Sequence, residues 1–343
     1  MKIPYKHNII KFKLSLEKKI KQFISSNNFT ITLFYFIRPG AYRFEKSVVI
    51  RSNLKHLDYK NFQSAHTYQL RRNIHRIEKG LSQKNQKKVF AGNYIEETII
   101  IYEGYINSEH KKKDEAAYFN IVLDEYFAVV DRNPFLNKLF HRFTLAKSKY
   151  TDHISTNKPE KTDHYLDTDL KLIEDIVLKR HSIRFFTEKL VPDDLITKAI
   201  KVARNAPSGC NRQPFKYIVI ANPKTAIEVS NISFGTTGFE NLKQLIAVVT
   251  DHEAYFKEFD RHLGIIDASL SAMLLMIALT AEGISTCPIN WPDIWEKQKA
   301  ISSVINLKPN EQVVMLIAYG YAQEGIRIPL STKKTPEQLS RFI

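Results

Sequence analysis

Between positions 267 and 282 the chain reads Asp-Ala-Ser-Leu-Ser-Ala-Met-Leu-Leu-Met-Ile-Ala-Leu-Thr-Ala-Glu, apolar on nearly every side of a helical wheel. A helix without a polar face has to be covered all round. This segment therefore predicts the centre of a packed domain, and a helix so covered in a small domain often reaches a subunit interface. Short β-branched runs lie around it: 216–221 with Tyr217, Ile218, Val219 and Ile220, 244–250 with Leu245 to Val249, and 312–320. These predict strands. Helices are expected over 170–179 and 192–205, the second opened by Val191-Pro192-Asp193-Asp194. Proline near the start and acids in the first turn suit a helix N-terminus. Interleaved helices and strands predict an α+β layered domain, a mixed central sheet flanked by helices on both faces.

The first half is different. Residues 1–165 carry 30 Lys and Arg against 16 Asp and Glu, a net +14, whereas residues 166–343 carry 21 against 20, a net +1. The basic character of the chain thus belongs to an appendage on a near-neutral domain. Residues 9–24 place Ile9, Phe12, Leu16, Ile20 and Phe23 at helical spacing, with Lys11, Lys18, Lys19 and Lys21 mostly elsewhere on the wheel. Such a helix packs on its own domain or lies on an anionic membrane surface as a peripheral contact. Further helices are expected over 58–81, 94–105 and between 115 and 143. In the first of these, Arg72, Arg76 and Lys79 share one face and Arg71, His75 and Glu78 another. That pattern fits either a solvated face with Glu78 paired internally or an anion site. The polar stretch 151–169 reads as a linker, which gives a helical region 1–150 of unassigned role and a second domain over 170–343.

No uninterrupted apolar run approaches the eighteen or so residues of a membrane span. The start lacks the clean apolar region of a secretory signal. Two cysteines, Cys210 and Cys287, with no Cys-x-x-Cys, offer no metal site and suggest a reducing, cytoplasmic setting. Nucleic acid is disfavoured as a partner, because the basic stretches form no recognisable binding module.

Two clusters carry chemistry. Arg180-His181-Ser182-Ile183-Arg184 packs two guanidinium groups and a hydroxyl into five residues at a helix end, the donor set that a phosphate monoester needs. About 25 residues later comes Ala206-Pro207-Ser208-Gly209-Cys210-Asn211-Arg212-Gln213-Pro214-Phe215, joining a helix to a strand. Its small and turn-forming residues let backbone approach a planar ligand, and Asn211 and Gln213 can both donate and accept. Taken alone, the segment also reads as a structural turn.

In order, spacing and following strand, the two clusters together resemble the opening of nitroreductase-family domains. The resemblance continues through the apolar helix, through Ser285-Thr286-Cys287-Pro288-Ile289-Asn290-Trp291, read as a loop passing near the flavin, and into the tail. It implies an FMN-binding domain in which Arg180, His181, Ser182 and Arg184 grip the phosphate, while Pro207, Ser208, Asn211 and Gln213 border the isoalloxazine and ribityl chain. A basic residue of the tail, Lys333 or Lys334 in place of the family's usual arginine, would return to the phosphate. The family also implies a homodimer with the flavin between subunits and NADH or NADPH as electron donor. Trp291 stands where smaller residues are usual and could restrict the pocket. The flavin itself carries the reaction, so no catalytic side chain is assigned. This fits the absence of nucleophile triads, a Walker loop and a Gly-x-Gly-x-x-Gly.

The expected activity is hydride transfer from NAD(P)H through FMN to a nitro, quinone or other small or lipid-linked acceptor. One alternative keeps the fold and changes the reaction to dehydrogenation or dehalogenation. Another is a membrane- or anion-binding scaffold role through the basic half.

Overall fold

A computed structural model describes residues 15–16, 19–25, 27–37, 42–83, 87–150, 170–329 and 331–343. The linker reading of 151–169 lies outside the described residues, as does much of the amphipathic stretch 9–24. The chain divides into two compact units, Met1–Ser47 and Val48–Ile343. The first unit contains helix α1 (Asn28–Ile37). Helix α2 (Arg43–Leu57) begins there and continues into the second unit.

In the second unit a helical layer comes first: α3 (His66–Leu81), α4 (Ile95–Ile106), α5 (Lys113–Val129) and α6 (Pro134–Lys147). Leu70, Ile74 and Ile77 of α3, three and four residues apart, face Ile99, Tyr102, Phe119, Phe127 and Phe143 in one apolar core. Asn133 caps α6 by accepting from Leu136 N at 2.9 Å, with Pro134 in the first turn. Helix α3 starts at His66 rather than at 58. The Asn61 amide bonds the Asp58 carboxylate at 2.7 Å and Asn61 N bonds Asp58 O at 3.1 Å. These local bonds compete with helical ones.

The sheet contains β1 (Phe215–Ile220), β2 (Leu245–Asp251), β3 (Ser285–Asn290) and β4 (Glu311–Gly320) in the order β1-β2-β4-β3. All three pairings are antiparallel, with a register shift at Val248/Val249. A parallel element enters only through isolated bridges such as Ser182 to Thr286, so the sheet proper is antiparallel rather than mixed. Side chains alternate across it. Leu245, Ala247 and Val249 pack with α9 (Pro223–Ile232) and α11 (Trp295–Ile305). Ile246 and Val248 pack with α8 (Asp193–Ala203) and α10 (Leu263–Ala281). Helix α7 (Leu170–Lys179) precedes this layer.

The stretch expected to be a loop after the apolar helix is strand β3, with Ser285 opposite Gly320 and Asn290 opposite Met315. Pro288 argues against a strand, but β3 is at the sheet edge, where a missing N–H is tolerated. The apolar helix α10 is long and apolar enough to cross a membrane by composition alone, yet half of it is buried in the domain. It is the cover for Ile246, Ile317 and Tyr319.

Candidate functional site

The cationic cluster leaves α7 and runs along the open edge of β3. Ile183 N donates to Thr286 O at 3.0 Å, and Phe186 N donates to Glu240 O at 3.2 Å. Buried Phe186 leans on Gly320, where a Cβ would stand 2.8 Å from its ring, so only glycine admits this contact. Pinned this way, Arg180, His181, Ser182 and Arg184 line a cavity of about 680 Å³ together with Lys333. Residues at the helix end and in the tail, 150 positions apart, therefore meet as the sequence expects, with Lys333 rather than Lys334 on the wall. Val177, Leu178, Met273 and Ile328 supply its apolar sides.

The electrostatics of this cradle are those of an anion site. Arg180 Nη1 is buried and, among the described residues, has no hydrogen-bond partner. Such a donor costs roughly 1–3 kcal/mol, more when charged, until something accepts from it. Arg184 Nη1 donates to Ser182 O at 3.2 Å. Burial pushes the Cys287 thiol up, against the pull of Arg184, the Ser182 side chain and Arg180. The thiol is buried among packing groups beside the arginines, with burial favouring its neutral form. An unmatched Arg180 nitrogen, a second guanidinium, a hydroxyl and an ammonium on one wall fit a phosphate monoester.

The second cluster is a turn with a different character. Cys210, Asn211 and Gln213 have φ of 53°, 51° and 51°, left-handed values that cost a non-glycine residue about 1 kcal/mol or more each. Several bonds hold them there. Gln213 N donates to Ser208 Oγ at 2.9 Å, and Gln213 Nε2 donates to Asn211 Oδ1 at 2.7 Å. Gly209 N lies 3.2 Å from both carboxylate oxygens of Asp267, which also accepts from the Tyr255 hydroxyl. Burial raises the Asp267 pKa, while Tyr255, Gly209 and Arg212 restrain it. Buried Arg212 lies 4.6 Å over the Tyr255 ring.

Part of this restraint comes from the helical layer. Arg71 Nε donates to Asn211 O at 3.0 Å and Arg71 Nη1 to Glu115 at 2.7 Å. The Tyr118 hydroxyl bonds Glu78 and the Asn211 side chain. Three more side chains of α3 are engaged: Arg72 with Glu97 at 3.5 Å, Arg76 at 3.7 Å over Tyr94, and the His75 ring with Glu78 at 3.2 Å. Glu78 is thus paired internally, and Arg71, Arg72 and Arg76 all have partners within the protein.

Among the described residues and cavities the two clusters lie on different walls. Gln213 lines a second cavity of about 650 Å³, with Arg71, Arg212, Lys216, Asp251 and Glu311 on its wall. Trp291 is buried in the sheet core, on the wall of neither cavity. Sequence reasoning missed Asp267, Tyr255, Arg71 and Tyr118 as supports of the turn. One signal was present: Asp267 is the lone acid in the apolar helix α10.

The Nitroreductase family profile matches residues 177–255 and 237–321. An iodotyrosine deiodinase of Hydra vulgaris is 25% identical over 196 residues, covering 48% of this chain and 70% of that protein. An NADH dehydrogenase of Thermus thermophilus is 25% identical over 188 residues, covering 45% of this chain and 90% of that protein. Among solved structures, an FMN-dependent nitroreductase from Clostridium difficile superposes with a TM-score of 0.43 at 21% identity, covering 49% of this chain and 96% of that one.

Proposed function

We propose, from the premise that residues 177–321 form a nitroreductase-family domain, that this chain is an FMN-dependent oxidoreductase. In this reading it takes hydride from NADH or NADPH and passes it to a nitro, quinone or lipid-linked acceptor. The observation that carries the reading is the cradle, where the unpartnered Arg180 Nη1 shares a cavity wall with Ser182, Arg184 and Lys333. These residues hold the phosphate, and His181 borders them. Bound FMN supplies the two-electron chemistry. The residues of this chain orient it: the cradle fixes one end, and Pro207, Ser208, Asn211 and Gln213 present a rigid edge for the ring.

Because the cradle and Gln213 line different cavities among the described residues, the reading includes a homodimer in which the turn comes from the partner. Two apolar faces support this. Ile266, Leu270 and Met273 are exposed on α10, three and four residues apart, and Leu170, Ile173 and Val177 are exposed on α7. Met273 and Val177 also line the cradle cavity, so a partner covering these faces would close the site. Such patches mark interaction surfaces.

A second reading keeps the flavin and makes a halogenated aromatic the acceptor, favoured by the deiodinase similarity. An absorbance spectrum of the purified protein, followed by anaerobic NADH and NADPH, tests the main reading. A flavin band that bleaches supports it. A band that bleaches with dithionite alone removes the nicotinamide donor. No flavin after reconstitution with FMN removes the whole reading. Turnover assays with nitrofurazone, menadione and diiodotyrosine then separate the acceptors.

A further inference from the structure

The first unit carries a feature that flavin chemistry does not use. Residues 19–24 and α1 (Asn28–Ile37) are two helical stretches close together in the sequence. Asn27 Oδ1 accepts from Thr30 N at 3.0 Å, and the Thr30 hydroxyl reaches back to Ile24 O at 2.5 Å. Each stretch exposes an apolar row. In α1 the row is Phe29, Leu33, Phe36 and Ile37, with Phe29 75%, Phe36 80% and Ile37 70% exposed. Their spacing of four, seven and eight residues puts them on one side of the helix. The preceding stretch exposes Ile20 and Phe23, three residues apart, with Phe23 72% exposed. No residue of α1 is buried and none is charged.

Two rows of large apolar side chains facing water need a cover. Charge decides which. Residues 1–47 hold ten Lys and Arg against two Asp and Glu. A second copy of this unit would bring two strongly basic surfaces together. An anionic lipid surface offers acyl chains to the rows and headgroups to the lysines. Helix α1, at ten residues, is only about 15 Å long, half of a bilayer's hydrocarbon core, so it can lie in the interface but cannot span it.

We propose that residues 19–25 and 27–37 form an interfacial anchor that binds anionic phospholipid bilayers, with Phe23, Phe29, Phe36 and Ile37 inserted. Flotation of the full-length chain with phosphatidylglycerol/phosphatidylcholine vesicles, and with phosphatidylcholine vesicles alone, tests it. Binding to the anionic vesicles should weaken about tenfold or more in phosphatidylcholine alone or in 0.5 M salt. The double substitution Phe29→Glu/Phe36→Glu should lower the partition coefficient by about 100-fold or more, with an unchanged melting temperature. Three results would overturn the proposal: no flotation with either vesicle, flotation equal in wild type and double variant, or flotation indifferent to lipid charge. A self-association that the double variant abolishes, without vesicle binding, would assign the rows to a second copy.

Discussion

The two halves of the candidate site are built in opposite ways. The cradle at Arg180 to Arg184 is underpaired: among the described residues a buried guanidinium nitrogen has nothing to bond, and the wall is cationic. The turn at Ser208 to Gln213 is overdetermined: three left-handed residues are held by Ser208, Asp267, Tyr255, Arg71 and Tyr118. In the proposed reading, the first would gain stability from its ligand. The second is finished before any ligand arrives, at a cost that the surrounding fold meets. A site with one hungry end and one preformed edge gains affinity from charge and orientation from rigidity. The contrast predicts that substitutions at the two ends will separate binding from stability.

The largest effect is expected at the cradle. Arg180→Ala should weaken FMN binding by about 100-fold or more, in the range of roughly 2–5 kcal/mol for truncating one partner of a buried charge pair. FMN fluorescence quenching reads this directly. The melting temperature of the FMN-free protein should stay level or rise, because the substitution removes an unsatisfied buried donor. A drop in FMN-free stability comparable to that of a core substitution would show that Arg180 is structural, and the contrast between the halves would fail.

The reverse pattern is expected at the turn. Asp267→Ala leaves Gly209 N and the Tyr255 hydroxyl without their shared acceptor. Urea unfolding of the FMN-free protein should show a loss of about 2–4 kcal/mol, the sum of two stranded polar groups. Any loss of FMN affinity should be smaller than that of Arg180→Ala. Tyr255→Phe should fall between this variant and wild type.

The same contrast governs how much the sequence discloses. The clustering of Arg180, Ser182 and Arg184 was legible because they stand within five residues at a helix end. The strands at 215–220, 245–251 and 311–320 were legible from β-branched runs, and α10 from its lack of a polar face. Strand β3 was not, because Pro288 masks a pairing that only an edge position permits. Helices α2, α9 and α11 were not, since each is short or mixed in character and is held by tertiary packing. The supports of the turn come from positions 71, 118, 255 and 267. No local pattern joins residues so far apart, so the turn could be read as a turn but not as a clamped one.

Arg71 tests whether the helical layer belongs to the site. Its guanidinium bridges Asn211 O and Glu115. Arg71→Ala should release one side of the turn, lowering FMN affinity about tenfold or less, equivalent to roughly 1.4 kcal/mol. The flavin absorbance maxima should shift at the same time, as the ring's border loosens. Arg71→Lys keeps charge but not the fork geometry, so it should restore part of the affinity. A variant with wild-type affinity and an unshifted spectrum would detach the helical layer from the flavin.

The smallest effect is a cancellation. Two half-buried groups flank the turn. Burial, with Glu253 adding to it, pushes the Asp251 carboxyl up to about 6, and Asp251 N bonds Pro214 O at 2.9 Å. Burial, aided by Arg72, His66 and Arg212, pulls the His56 imidazole down to about 3 while its ring stacks on Phe256. The native state holds the Asp251 proton more tightly than the unfolded chain, so this term loses stability as pH rises from about 4 through 6. The native state refuses the His56 proton, so that term gains stability as pH rises from about 3 to 6.5. Each is worth on the order of 2 kcal/mol once the partial exposure of His56 is allowed for, and over their shared window they oppose each other. Unfolding free energies at pH 4.5 and 6.5 should therefore differ little in wild type. Asp251→Asn should make stability climb across that window and His56→Gln should make it fall, while FMN-free Arg180→Ala should track wild type. Parallel curves for all four proteins would mean that the turn's neighbours titrate as they do in the unfolded chain, and that its rigidity owes nothing to half-buried neutral groups.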